Sequence, residues 1–322
     1  VAVLIAIAVA VAVSAAICAT VVALGPRFGF VDLPDGYLKT HEYPAVPLGG
    51  VAVLVAVHLG LVITGSFDTG LLIASAMVLV LGLMDDYREL GPVVRLLVEV
   101  IAGVVLAVVA DLPSIPGGVV GVILVAALVV ITVNAVNLLD GLDGLAGGSA
   151  FVAAIGLAVL ATVRGLDGAY GWVLAAAIAG FLVYNWHKAK VFFGDNGAYS
   201  VAVFLVYGFF VATPEDSEVG VLVAFGLLGV FAVDLVVTLL RRRLNAKPLF
   251  AGDRSHVYDQ LVDRGRTVPQ VALIFAGAQA MIAILVIVLD EFTGDLVTLG
   301  VLAAVFAAVI VALARLGFLE GG

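Results

Sequence analysis

The chain has 322 residues, 64% of them hydrophobic and 12% charged, with a formal net charge of −9. Soluble domains run about 45–50% apolar and about 25% charged, so a water-soluble enzyme, a disordered chain and a basic nucleic-acid binder are excluded, and the solvent is lipid. A single cysteine, Cys18, rules out a disulfide framework or a cysteine-rich metal site.

Eleven apolar runs alternate with short polar breaks, at about 1–24, 48–63, 71–84, 93–110, 118–133, 147–163, 169–186, 198–213, 219–240, 269–289 and 296–314. A bilayer needs roughly 20 apolar residues per helical crossing, and lipid-facing backbone must satisfy its own hydrogen bonds. The pattern predicts an all-α integral membrane protein, a bundle of about 11 (10–11) transmembrane helices, with residues 1–322 in a single polytopic domain. The first run lacks a basic flank and a cleavage site, so it reads as a span rather than a signal peptide. With the N-terminus placed outside, 14 of the 15 Lys and Arg fall in inside segments and their flanks, and Arg164 alone falls outside. The outer breaks instead carry acids such as Asp68, Asp111, Asp167 and Glu215. That asymmetry predicts an outer N-terminus and a cytoplasmic C-terminus. The longest break, Arg241 to Thr267, reads as a loop too short for a core of its own.

The inner breaks carry the chemistry. The first holds Lys39, His41, Pro44, Pro47 and Gly49-Gly50. The third run ends in Asp85-Asp86, two adjacent carboxylates whose repulsion is costly unless a cation or substrate is bound. After the fifth run come Asn134 and Asn137, three residues apart on one helix face, then Asp140-Gly141 and Asp143-Gly144. Glycines there expose backbone N–H groups beside two carboxylates, a combination suited to a metal-bridged phosphate. The seventh run leads into Asn185, Lys190 and Gly194-Asp195-Asn196-Gly197, where Lys190 suits a phosphate and Asp195 a metal. The ninth leads into Arg241-Arg242-Arg243, an orientation anchor, and then Asp253-Arg254-Ser255-His256. Carboxylates, amides, basic groups and histidines on one membrane face are the components of metal-dependent phosphoryl transfer between a lipid phosphate and a water-borne phosphate substrate. The rival reading is a secondary transporter, with Glu99 and Asp234 as intramembrane pathway carboxylates. Each sits about six residues, roughly 9 Å, from its inner helix end, nearer a cleft than the midplane.

Taken together, from Lys39 to His256, these loops resemble the polyprenyl-phosphate N-acetylhexosamine-1-phosphate transferase superfamily, glycosyltransferase family 4, with its MraY and WecA types. The resemblance rests above all on Asp85-Asp86, on 134–148 and on Ala189-Lys190-Val191-Phe192-Phe193-Gly194-Asp195-Asn196-Gly197. It implies a ten- or eleven-helix bundle with a cytoplasmic active-site cleft, in the plasma membrane, moving a HexNAc-1-phosphate from a UDP-sugar to a polyprenyl phosphate and releasing UMP. The implied catalytic residues are Asp85, Asp86, Asp140, Asp143 and His256. The implied substrate contacts are Lys39, His41, Asn134, Asn137, Asn185, Lys190, Asp253 and Arg254. Asp195 and Asp86 would hold Mg²⁺, with Mn²⁺ as a substitute, and a homodimer is compatible with the family. Two departures stand out: Val257-Tyr258-Asp259 replaces the further histidines of the WecA type, and Ala198 replaces a serine. The Lys39-to-Gly50 and Asp253-to-His256 motifs are similar to the WecA/TagO type, which implies UDP-GlcNAc, with the MraY-type substrate UDP-MurNAc-pentapeptide as the alternative.

Overall fold

A computed structural model describes residues 1–33, 43–113, 117–217, 219–248 and 254–320. Thirteen α-helices follow one another among them: α1 (Ala2–Leu24), α2 (Gly49–Thr64), α3 (Thr69–Tyr87), α4 (Pro92–Val109), α5 (Gly118–Leu139), α6 (Leu145–Val163), α7 (Ala169–Asn185), α8 (Gly194–Val211), α9 (Gly220–Phe225), α10 (Gly229–Leu244), α11 (Val257–Asp263), α12 (Val268–Thr293) and α13 (Asp295–Arg315). A 3₁₀ turn, Gly226–Leu228, joins α9 to α10. Among the described residues no β-strand forms; isolated bridges pair Asp32 with Ala45 and Val46 with Val191.

Eight of these helical stretches are long and apolar enough to cross a membrane: Ala2–Phe28, Thr69–Tyr87, Pro92–Val109, Gly118–Leu139, Leu145–Val163, Gly220–Leu244, Val268–Thr293 and Asp295–Arg315. Gly49–Thr64 and Ala169–Asn185 are shorter apolar helices. The protein is a helical integral membrane protein.

Helix α8 is the axis of the bundle. Every residue from Asn196 to Phe210 is buried, as expected for a helix apolar on all sides. It packs on α2, α3 and α5, while α13, with Thr298 its one buried residue, lies at the periphery. Close approach depends on small residues. A Cβ on Gly82 of α3 would fall 2.2 Å from the backbone nitrogen of Asn196, so glycine is what lets α3 meet the first turn of α8.

Several helices run beyond the predicted apolar boundaries. Helix α3 continues through Asp85-Asp86, α5 continues to Leu139 with Asn134 and Asn137 inside it, and α8 begins at Gly194 with Asp195 in its first turn. Polar side chains at these ends find partners on neighbouring helices, so the ends need not coincide with the lipid boundary. The predicted loop from Arg241 to Thr267 is a correction. Its first residues finish α10, and it contains α11, started by a box in which Asp259 accepts from the backbone nitrogen of His256 at 3.2 Å.

Candidate active site

Five segments meet at one end of the bundle: residues 43–48, the last turn of α3, the α5–α6 turn, residues 186–193 and the first turn of α8. Backbone bonds zip two of them together. Val46 donates to Lys190 O, Phe192 to Val46 O and Gly49 to Phe192 O, each at 3.0 Å. Buried Asn185 ties in a third, accepting from the backbone nitrogen of Gly144 at 3.1 Å and donating to Val191 O at 2.9 Å. Gly144 has a φ of +72°, which opens the turn between α5 and α6 and favours glycine there.

These segments enclose a cavity of about 750 Å³. Asp32, Asp85, Asp86, Glu89, Asp140, Asp143 and Asp195 line it, with Asn137, Tyr43, His187 and Lys188. The adjacent pair Asp85-Asp86 is held in two different ways. Buried Asp85 accepts from the Leu90 backbone nitrogen at 2.7 Å, from Arg95 at 3.1 Å and from the Tyr199 hydroxyl at 3.0 Å. Asp86 caps α8 from another helix, accepting from the backbone nitrogens of Asp195 (3.0 Å) and Asn196 (3.4 Å) and from the Asn196 amide (2.8 Å). A carboxylate at a helix N-terminus is where the dipole and the orphan N–H groups favour it. Gly194 has φ +64° and lies so near that a Cβ would fall 2.7 Å from the Asp86 carboxylate.

Asp195 accepts from the Asn137 amide at 2.6 Å, which links the first turn of α8 to the last turns of α5. Asp140 stands at the end of α5, where burial, then the nearby charges of Asp86 and Asp143, push its pKa up to about 8. One oxygen of Asp143 contacts the His187 ring (3.0 Å) and accepts from the Ala189 backbone nitrogen (3.1 Å).

Of the predicted site residues, the structure gathers Asp85, Asp86, Asn137, Asp140, Asp143, Asn185 and Asp195 around this cavity. Asn134, Lys190, Arg254 and His256 stand off its lining. Asn134 donates to Glu99 at 2.9 Å between α5 and α4. Lys190 is exposed, and Arg254 reaches Asp259 only at 4.0 Å. His256 is buried against α10, its Nδ1 2.8 Å from Asp234 and 3.1 Å from Thr238, with its ring stacked on Tyr258. Tyr258 in turn donates to Leu138 O at 3.2 Å, so this group braces the cavity wall from behind. Lys39, His41 and Asp253 lie outside the described residues.

Sequence reasoning missed Tyr43, Glu89, His187, Lys188, Arg95 and Tyr199. Tyr199 was within reach of a periodicity argument, because it follows Asp195 by one helical turn and so shares its face. Arg95 was not, since it meets Asp85 across a helix–helix turn.

Among the described residues, no three carboxylate, imidazole or thiol groups form a ready-made metal cage. Mg²⁺ does not require one: it commonly takes one or two carboxylates and leaves its other positions to water and substrate phosphates. Seven acid side chains around one cavity suit such a cation, and they would repel a bare phosphate.

Residues 69–213 match the model of glycosyl transferase family 4. A Bacillus subtilis protein named a probable undecaprenyl-phosphate N-acetylglucosaminyl 1-phosphate transferase is 29% identical over 262 residues, covering 74% of this chain and 71% of its own. Decaprenyl-phosphate N-acetylglucosaminephosphotransferases of Mycobacterium tuberculosis and Mycobacterium leprae are 31% and 30% identical over 114 residues. Those matches cover 32% of this chain, and 28% and 29% of the respective relatives. Over residues 69–213 the chain is thus similar to glycosyl transferase family 4, and over most of its length to a protein named as a polyprenyl-phosphate N-acetylglucosaminyl 1-phosphate transferase.

Proposed function

We propose that the protein transfers GlcNAc-1-phosphate from UDP-GlcNAc to a polyprenyl phosphate, releasing UMP, as the first membrane step of a cell-envelope glycan. The observation that carries this reading is the convergence of Asp85, Asp86, Asn137, Asp140, Asp143 and Asp195, from three helix ends, on one cavity. N-acetylglucosamine, rather than the MurNAc-pentapeptide, is favoured by the names of the relatives and by the Asp253-to-His256 motif. The transporter reading loses its basis, because Glu99 is bonded to Asn134 and Asp234 to His256.

In this reading Asp195, with Asp86 behind it, holds Mg²⁺, which when bound screens the charge of the diphosphate. Asn137 fixes the Asp195 carboxylate, and Asp140 and Asp143 shape the nucleotide-sugar side. Transfer is direct, with the lipid phosphate as nucleophile. A phosphate monoester with its second pKa near 6 is mostly dianionic at neutral pH and needs little help from a base. Neither member of the aspartate pair is a free nucleophile, since each already accepts three hydrogen bonds. The same proposal places the chain in the plasma membrane with eleven crossings, the N-terminus outside and the cavity cytoplasmic.

Purified protein with Mg²⁺ and polyprenyl phosphate, offered a panel of UDP-sugars, should release UMP with UDP-GlcNAc preferred. No UMP from any sugar would overturn the activity. Without lipid, labelled UDP-GlcNAc should yield no stoichiometric UMP and no labelled protein. A burst matching the enzyme concentration and abolished in Asp85→Asn would establish a covalent route instead.

A further inference from the structure

A second cavity, of about 800 Å³, lies among the α9–α10 stretch, α12 and α13. Protein interiors hold few voids larger than a water molecule, so a space of this size calls for an occupant. Among the described lining residues only Asp234 is polar. Both of its oxygens are engaged at the start of α11, by the His256 ring at 2.8 Å and the Val257 backbone nitrogen at 3.2 Å. The three walls belong to stretches long and apolar enough to cross a membrane. Lining residues such as Ile274, Met281 and Val305 are exposed, Met281 by 67%. The cavity therefore opens sideways into hydrocarbon, where apolar chains rather than water are the available guests. It shares no described lining residue with the acidic cavity.

One end of this cavity is basic. Buried Phe318 closes that end, with the Arg264 guanidinium 3.9 Å from the centre of its ring. Arg264 donates to Leu316 O at 3.2 Å and Asn245 to Leu319 O at 3.2 Å, so the ends of α10, α11 and α13 meet there. Arg315 ends α13, two residues past the lining residue Leu313. In these segments the exposed arginines Arg243, Arg264, Arg266 and Arg315 outnumber the exposed acids Asp263 and Glu320. Basic groups between membrane helices, level with the headgroups, favour anionic phospholipids, and a guanidinium takes a phosphate in two parallel hydrogen bonds. We propose that this cavity is a binding site for an anionic phospholipid, with its acyl chains among α10, α12 and α13 and its phosphate at Arg264 and Arg315. The substrate lipid is a different case, because its phosphate has to reach the acidic cavity, whereas a phosphate at this rim stays outside it. The bound phospholipid fills the space between α13 and the bundle and backs the Asp234–His256 group.

Detergent-purified, delipidated protein is titrated with phosphatidylglycerol, with phosphatidylcholine of the same chains, and with polyprenyl phosphate. Native mass spectrometry counts bound lipids, and the melting temperature is followed. A phosphatidylglycerol carrying a diazirine in one acyl chain marks the peptides it touches. Phosphatidylglycerol should bind about tenfold more tightly than phosphatidylcholine, as expected for one charge-assisted contact, and raise the melting temperature. It should label α12 and α13 around Met281 and Val305, and polyprenyl phosphate should not displace it. Ala303→Trp, which fills the cavity, should abolish that labelling, whereas Leu4→Trp, on an exposed face of α1, should leave it unchanged. Arg264→Gln combined with Arg315→Gln should erase the preference for the anionic headgroup. If either variant melts early, Ala303→Leu and Arg315→Gln alone are judged by the same criteria. Labelling spread evenly over all lipid-facing helices, equal affinity for the two phospholipids, displacement by polyprenyl phosphate, or a dimer of the chain that seals the cavity would each overturn the proposal.

Discussion

Asp85 and Asp86 are adjacent in sequence, yet one is clamped by Arg95 and Tyr199 and the other caps α8. A side chain's work here is set by which helix end it meets. Asp195 lines the cavity together with Asp85 and Asp86. Asp195→Asn keeps shape and removes the charge that attracts a cation, so turnover should fall by at least about a hundredfold. The melting temperature should stay near that of the wild type. The same loss should follow EDTA treatment of the wild type and be reversed by Mg²⁺ or Mn²⁺; full activity in EDTA would contradict the metal's role. Asp140 makes a different prediction. Its folded-state pKa, about 8, lies above the ordinary 3.8, so the folded state favours the protonated form. That preference is fully satisfied below about pH 4 and is lost as pH rises towards 8. In metal-free protein Asp140→Asn should therefore match the wild type near pH 4 and melt increasingly above it as pH approaches 8. A gap that is constant across this range would show that burial does not control this carboxyl.

At the scale of elements, Arg164 explains the one exception to the charge asymmetry. It is a buried ion pair, not an orientation signal: its guanidinium meets Asp290 at 2.6 and 2.9 Å, each side chain 6% exposed. It also donates to Ala212 O at 3.0 Å and Gly220 O at 3.3 Å, with Asp295 at 3.6 Å. The residue thus ties the ends of α6, α8 and α12 to the starts of α9 and α13. Removing one partner of a buried, hydrogen-bonded pair leaves the other charge stranded, at about 3–5 kcal/mol. Arg164→Ala should accordingly lower the melting temperature by several degrees while leaving KM for both substrates unchanged in the folded fraction. A variant as stable as the wild type would show the clamp to be superfluous. The helix limits teach a related lesson. Apolar runs located every long helix, but the ends of α3, α5 and α8 depend on partners such as Asp86 for the α8 N–H groups. Those partners lie on other elements, where local periodicity carries no information.

For the whole molecule, orientation is the property tested most directly. With buried Cys18 replaced by alanine, a cysteine introduced at Arg266 should be labelled only from the cytoplasmic side and one at Glu215 only from outside. Reversal of either would overturn the positive-inside argument. The sequence alone determined that the chain lives in lipid and that its apolar runs are helices, and it singled out Asp85, Asp86, Asn137, Asp140, Asp143 and Asp195, which the structure sets around one cavity. Those conclusions rest on composition, run length and short motifs, which are local and survive without knowledge of packing. Tertiary structure decided which polar residues reach the cavity. It brought in Lys188 and left Lys190 outside, two residues along an irregular segment with no period to predict which way each side chain turns. It set Asn134 against Glu99 and His256 against Asp234, giving both predicted site residues bracing partners inside the bundle. Burial demands a partner for every polar group, and the partner that is nearest depends on how the helices pack, a relation between distant segments that no single stretch of sequence encodes.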